Sequence, residues 1–272
     1  MSESDFVLLD RPRPGVAQVT LNRPERMNSM AFDVMVPLRA TLAQLHRDND
    51  VRVVVLTGAG RGFSSGADHK SAGAVPHVAG LTRPTYALRS MEILDEVILA
   101  MRRLHQPIIA AVNGAAIGGG LCLALAADIR VAASDAYFRA AGINNGLTAS
   151  ELGLSYLLPR AIGSSRAFEI MLTGRDVDAG EAERIGLVSR QVPAADLLPT
   201  CYEMAERIAG FARPGTELTK RTLWTGLDAS TLEGHMQAEG LGQLYVRLLT
   251  ANFEEAVAAR AENRDPAFTD EK

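Results

Sequence analysis

Three consecutive glycines, Gly118, Gly119 and Gly120, separate two apolar runs inside the stretch from Ile108 to Ala132. Ile108 to Val112 reads as a short strand covered on both faces, and Leu121 to Ala127 has the length and composition of a buried helix. The glycines therefore stand where a helix begins. Without a Cβ the backbone there can approach a ligand closely, and the first N–H groups of the helix, unpaired within it, carry partial positive charge. That is the chemistry of an anion or oxyanion site. Three plainer readings compete with it. A Gly- and Ala-rich stretch also serves where elements cross closely. A membrane span fits poorly, because Pro107, Asn113 and the glycines would leave backbone groups unsatisfied in lipid. A dinucleotide fingerprint lacks its final glycine, since Leu123 occupies that place.

A second pattern, Gly62-Phe63-Ser64-Ser65-Gly66, matches the G-x-S-x-G elbow of serine hydrolases, with acidic residues and His235 following in the required chain order. An elbow needs a strand running into it and a helix leaving it. Gly58 to Arg61 intervenes on one side, and Ala67 to Pro76 lacks a helical pattern on the other. Ser64 as a nucleophile is kept as a remote alternative.

The elements that must hold these residues follow from periodicity and turn chemistry. Phe6 to Asp10 and Val16 to Leu21 form a β-hairpin about a Pro- and Gly-containing loop. Asn28 or Ser29 is placed to cap a helix whose apolar face is Phe32, Met35, Leu38, Leu42 and Leu45. Val51 to Thr57 is the most strand-like segment, and Gly58 to Gly80 reads as a long loop of the kind that binds ligands. A helix is expected from Arg83 to Leu104, and short strands over Ile129 to Ala132 and Ala136 to Arg139. Helices follow over Leu152 to Ile162 and Ser164 to Thr173, then a helix capped by Asp178 and stopped by Gly186, and a strand from Leu187 to Val192. Beyond Asp196 the pattern is helical throughout, with breaks near Pro214, Asp228 and Thr250. The chain thus divides into an α/β core, residues 1–195, and a helical C-terminal region, residues 196–272.

Composition narrows the class of function. With 272 residues, 47% of them hydrophobic, the chain can bury a full core. A formal charge of −4 gives no general attraction to nucleic acid or anionic lipid. Two cysteines, Cys122 and Cys201, lie far apart with no metal spacing, so neither a disulfide framework nor a metal centre is expected. The start, Met1 to Asp5, has no signal-peptide character, and a cytoplasmic protein is the expectation.

Together the motifs resemble those of the enoyl-CoA hydratase/isomerase, or crotonase, superfamily over nearly the whole chain. Leu21 to Asn28 resembles its N-terminal motif, Gly62 to Lys70 its first oxyanion-hole loop, and Ala111 to Gly120 with Asp128-Ile129 its second. Leu172-Thr173-Gly174 and Ala182 to Val188 fit as well. The resemblance implies an α/β fold of repeated strand-strand-helix turns in a spiral, with C-terminal helices that assemble trimers or hexamers. It implies an acyl-CoA substrate, no cofactor beyond the coenzyme A that the substrate carries, and a thioester oxygen held by the N–H groups of Ala67 and Gly119. By the same resemblance Arg26, Asp68, His69 and Lys70 lie along the coenzyme A path.

The departures from that family are equally informative. Family hydratases carry one glutamate two residues after the glycines and another about twenty residues later, and here those positions are Cys122 and Gly142. Neither is a carboxylate. A third position, used by family isomerases, falls on Glu151 in an uncharged neighbourhood where burial would raise a carboxyl pKa toward a useful value. The alternative for Glu151 is a helix-capping or helix-dipole role. The expected reaction is proton transfer on an unsaturated acyl-CoA by Glu151, with isomerisation favoured over hydration. The other readings are hydration with Glu151 positioning water, and a silent acyl-CoA-binding homologue.

Overall fold

The computed structural model describes residues 6–269 and contains two β-sheets wrapped by helices. β1 (Val7–Arg13) and β2 (Val16–Leu21) form the expected antiparallel hairpin, tighter than predicted because β1 runs on through Pro12. A register shift between Asp10 and Arg13 accommodates the proline, which has no N–H to give the ladder. α1 (Phe32–His46) follows and buries Phe32, Val34, Met35, Leu38, Leu42 and Leu45. Each such side chain contributes roughly 1.5–3 kcal/mol on burial.

From there the chain repeats one unit: a strand in the larger sheet, a strand in the smaller, then helix. The first turn is β3 (Val53–Gly58), β4 (Gly62–Ser64) and α2 (Arg83–Arg103). The second is β5 (Ile108–Val112), β6 (Ala115–Ile117) and α3 (Gly119–Ala126). The third is β7 (Ile129–Ala133), β8 (Tyr137–Arg139), α4 (Leu154–Ile162) and α5 (Ser164–Thr173). β9 (Asp176–Asp178), α6 (Ala179–Arg184) and β10 (Arg190–Val192) complete the core. The larger sheet has the order β1-β2-β3-β5-β7-β10, parallel from β2 onward, and the smaller β4-β6-β8-β9. Parallel strands covered on both faces explain why every residue of β3 and β5 is buried. All eight residues of α3 are buried too, so this helix has no polar face to offer water.

Four local expectations are corrected. Asn28 and Ser29 do not cap α1, whose N-cap is Ala31 with no side-chain bond; both side chains are committed elsewhere. β4 lies within the stretch from Gly58 to Gly80 that reads as loop, and β6 and β9 are likewise strands of three residues, too short to show a period. The strand expected from Leu187 is confined to β10, because the N–H groups of Leu187 and Val188 bond back to Ala182. α4 starts at Leu154 rather than Leu152, since Leu152 and Gly153 are both left-handed, at φ 45° and 78°. The Asp178 cap is as expected, accepting from the Glu181 N–H.

Beyond the core come α7 (Leu197–Ala209), α8 (Arg213–Gly226), α9 (Leu232–Leu249) and α10 (Asn252–Ala261). α7 buries Leu197, Cys201 and Ala205 against the large sheet. α8 is tied down by Asp128 at the start of β7. The Lys220 Nζ lies 2.9 Å from Asp128 Oδ2, while Trp224 Nε1 donates to Oδ1 and the Ile108 N–H to Oδ2, each at 2.6 Å. α9 has no buried residue at all. Among the described residues no helix is long and apolar enough to cross a membrane.

Candidate active site

The two glycine-rich loops foreseen from sequence meet where β4 and β6 end side by side. Asn28, fully buried, staples the entry to the first loop: its Oδ1 accepts from the Arg23 N–H at 2.8 Å, and its Nδ2 donates to the carbonyls of Ala59 and Gly62 at 2.9 and 2.7 Å. Asn113 acts similarly for the second, donating to the Gly60 carbonyl at 2.9 Å and accepting from the Gly58 N–H at 3.1 Å. Past β4 the chain runs beside Met30: the Met30 N–H donates to the Gly66 carbonyl at 2.7 Å and the Asp68 N–H to the Met30 carbonyl at 2.9 Å. Ala67, the residue between, is bridged to Met30 and exposed.

Glycine is required at several of these positions by close approach. A Cβ on Gly66, at φ 80°, would lie 2.6 Å from the Ile117 carbonyl oxygen and 3.4 Å from the Gly119 nitrogen. The first loop therefore sits directly on the N-terminus of α3. A Cβ on Gly119 would run into the Met30 sulfur, and one on Gly120 into the Ser64 carbonyl. Gly119 opens α3, so its N–H is among those with no partner inside the helix.

Glu151 is brought to the same place from the far side. Its carboxylate does not cap α4, which has Gly153 as N-cap and no side-chain bond there. Instead its Oε1 lies 3.1 Å from where a Cβ of Gly118 would stand, directly before the first turn of α3. Burial raises the Glu151 pKa, and the charge of His69 partly offsets this. Gly66, next to Ala67, and Glu151 thus both approach the start of α3 at Gly118 and Gly119. The left-handed pair Leu152-Gly153 and the Cys122 thiol help to fix Glu151, with Sγ 3.5 Å from its carbonyl oxygen and 3.3 Å from that of Gly118. Burial first, and then the Glu151 charge, push the Cys122 pKa well above its ordinary value, so the thiol is neutral. Sequence reasoning gave Cys122 as a thiol in the apolar helix and as the place of a missing glutamate, but not as a neighbour of Glu151, which lies 29 residues away.

The remaining candidates divide. His69 and Lys70 are exposed beside the first loop. Asp68 is buried, with Arg26 Nη2 at 2.5 Å and Arg23 Nη1 at 3.0 Å. Arg26 is accordingly ion-paired rather than a free surface charge, and Arg23, not foreseen as part of the site, shares its partner. Ser64 is fully buried, and its Oγ accepts from the Gly66 N–H at 3.4 Å. It ends a strand followed by loop, not helix, and His235 lies on α9 paired with Glu239 at 3.4 Å. The nucleophile-elbow alternative is therefore set aside. A cavity of about 730 Å³ lies beneath α8 between Leu125, Leu157, Ile208 and Leu223, and none of the candidate site residues lines it.

This arrangement invites comparison with known proteins. The profile of the enoyl-CoA hydratase/isomerase family matches residues 11–271. A probable enoyl-CoA hydratase of Mycobacterium bovis is 82% identical over 270 residues, 99% of this chain and 95% of that protein. The (E)-benzylidenesuccinyl-CoA hydratase of Thauera aromatica is 38% identical over 263 residues, 93% of this chain and 95% of the relative. Among solved structures, a probable enoyl-CoA hydratase/isomerase from Mycobacterium abscessus superposes with a TM-score of 0.95 at 72% identity, over 98% of this chain and 100% of that one. A monofunctional enoyl CoA isomerase from M. smegmatis superposes at 0.74 with 73% identity, over 86% of this chain and 99% of that one.

Proposed function

The chain belongs to the enoyl-CoA hydratase/isomerase family, and from that premise we propose that it moves a double bond along an unsaturated acyl-CoA by proton transfer through Glu151. The observation that carries this reading is the placement of the Glu151 carboxylate against Gly118, beside the start of α3, while the two hydratase glutamate positions hold Cys122 and Gly142. The thioester oxygen accepts from the Ala67 and Gly119 N–H groups. Glu151 removes the proton between the carbonyl and the double bond, and the dienolate that forms places its negative charge on that oxygen. Two preorganised donors stabilise this charge more than they stabilise the neutral carbonyl, which lowers the barrier. Glu151 then returns the proton at the far end of the conjugated system. A single carboxylate serves because the same group is base in the first half and acid in the second. Burial suits it to both halves by bringing its pKa toward neutrality.

Hydration is the second reading, and the relatives' names favour it: the M. bovis protein is called a probable hydratase. In that case Glu151 positions water against the double bond. The M. smegmatis structure, described as a monofunctional isomerase, favours the first reading. A panel of 3-enoyl-, 3,5-dienoyl- and 2-enoyl-CoA substrates separates them, with isomerisation abolished in Glu151→Gln expected for the first and crotonyl-CoA hydration for the second. Coenzyme A phosphates meet the exposed Lys70 and His69, with Arg26 contributing from its pair with Asp68.

Assembly into trimers or pairs of trimers belongs to the same proposal. On α9, Leu232, Met236, Leu241, Leu244 and Leu248 are 55–76% exposed, more apolar surface than one helix of a monomer ordinarily leaves to water.

A further inference from the structure

Asp68 is a buried carboxylate with no direct part in the proton transfer. Its side chain is 2% exposed. It accepts from Arg26 Nη2 at 2.5 Å and Nε at 3.3 Å, from Ser29 Oγ at 3.2 Å, and from the N–H groups of Lys70 and Ser71 at 2.9 Å each. Arg23 Nη1 lies 3.0 Å away. Burial alone would raise its pKa, but the bonds from Arg26, Lys70, Ser71 and Ser29 outweigh it and hold the carboxyl far below the usual range. The group is an anion at any physiological pH. Backbone bonds between Met30 and Gly66 on one side and Met30 and Asp68 on the other bracket Ala67, so the carboxylate anchors the downstream end of the segment carrying that donor.

An anion next to a site where an enolate develops would oppose the reaction if it stood alone. It does not stand alone. Arg23 and Arg26 against Asp68 leave a net charge of +1, and Glu25, 4.0 Å from Arg23, is largely in water, where screening weakens its effect.

We propose that Asp68 is a positioning residue: it pins the loop from Ala67 to Ser71 so that the Ala67 N–H faces the thioester oxygen, while Arg23 and Arg26 cancel its charge. The proposal rests on the oxyanion reading above. It assigns to Asp68 and Arg26 a bracing role in place of, for Asp68, contact with coenzyme A. Geometry and charge make opposite predictions for Asp68→Asn. That change removes acceptor strength from the loop bonds and raises the local charge from +1 to +2. If charge near the enolate decided the rate, turnover would rise; if loop geometry decides it, turnover falls.

The test is isotope-edited infrared spectroscopy of butanoyl-CoA labelled at the thioester carbonyl, bound to the intact protein, alongside kcat with a 3-enoyl-CoA and the Kd of free coenzyme A. Butanoyl-CoA is saturated, so the band reports polarisation without turnover. In the wild type the bound band moves to lower frequency than in solution. In Asp68→Asn it returns toward the solution value, and kcat falls at least tenfold with the coenzyme A Kd within threefold. An unchanged band, a faster enzyme, or a loss confined to coenzyme A affinity would each overturn the brace. If Asp68→Asn does not fold, Ser71→Pro removes one N–H from the same carboxylate, with Ser71→Ala as a control that keeps it. The proline variant loses the shift and the alanine variant keeps it; identical behaviour of the two overturns the proposal. A wild type that binds butanoyl-CoA with no shift would refute the oxyanion reading itself, an outcome visible before any variant is made.

Discussion

Gly66→Ala perturbs the meeting point of the two loops proposed to carry the oxyanion donors. Its new Cβ would lie 2.6 Å from the Ile117 carbonyl oxygen, below the 3.0 Å that real Cβ atoms respect, so the loops have to separate by about 0.4 Å. The same methyl would stand 3.4 Å from the Gly119 nitrogen, beside the path to the substrate oxygen. A donor near its optimum of about 2.9 Å moves to about 3.3 Å and loses much of its strength. Full loss of one oxyanion donor costs about 2.7–4 kcal/mol, so half of that, roughly 1.5–2 kcal/mol, is a ten- to thirtyfold drop in kcat. The left-handed φ of 80° adds about 1–2 kcal/mol of destabilisation, which for a chain of this size lowers Tm by roughly 2–8 °C. Gly163→Ala provides the control: its φ is also positive, at 83°, so the alanine is strained there too, yet nothing lies within 4 Å of the added methyl. Turnover of a 3-enoyl-CoA at 25 °C, with Tm measured in parallel, should give a slow Gly66→Ala and a Gly163→Ala of unchanged kcat despite its lower Tm. Gly66→Ala within twofold of wild type would refute the placement of the donors, and equal slowing in both would show that stability rather than geometry was being read.

Glu151→Gln should abolish turnover while raising Tm at pH 7–8. The folded state holds this carboxyl above its ordinary 4.5, so its favourable contribution is complete below that pH and is lost as pH rises through the higher folded value; glutamine never ionises. For the same reason kcat/KM of the wild type should rise with pH through that higher value, as the base form appears. Lys220→Met should destabilise by about 3–5 kcal/mol, read by chemical denaturation, because it leaves the Asp128 carboxylate without its buried cation, and Asp128→Asn on the same background should recover part of the loss. Sedimentation at micromolar concentration should give a trimer or hexamer, with charged substitutions at Leu241 and Leu244 on α9 shifting it toward monomer; a wild-type monomer would count against assembly through that helix.

The parts of the fold that were legible before the structure have local causes. The boundary between β5 and α3 is visible because Asn113-Gly114 and the glycine triplet interrupt two runs of different length, and α1 because its apolar residues recur at helical intervals. β4, β6 and β9 were not legible: three residues carry no period, and their pairing is set by strands far away in sequence. Asn28 was misplaced as a cap because capping is the local use of asparagine, whereas its actual partners, Ala59 and Gly62, are 31 and 34 residues distant. The same holds for Asp68, placed along the coenzyme A path by resemblance and found buried, since Arg26 reaches it across 42 residues. At the site, the proposed donors, Ala67 and Gly119, were read from motif and helix-start chemistry. Glu151 lies before α4 and is separated from it by two left-handed residues, one of them Leu152, which no propensity suggests.

The most direct measurement is the product formed from a 3-enoyl-CoA by wild type and Glu151→Gln, its double-bond position read from the ultraviolet absorbance of the conjugated thioester and any added water from its mass, with crotonyl-CoA run in parallel. The account predicts a 2-enoyl-CoA of unchanged mass from the wild type, none from Glu151→Gln although it still binds coenzyme A, and little hydration of crotonyl-CoA. A product heavier by one water, or a double-bond shift that survives in Glu151→Gln, would contradict it.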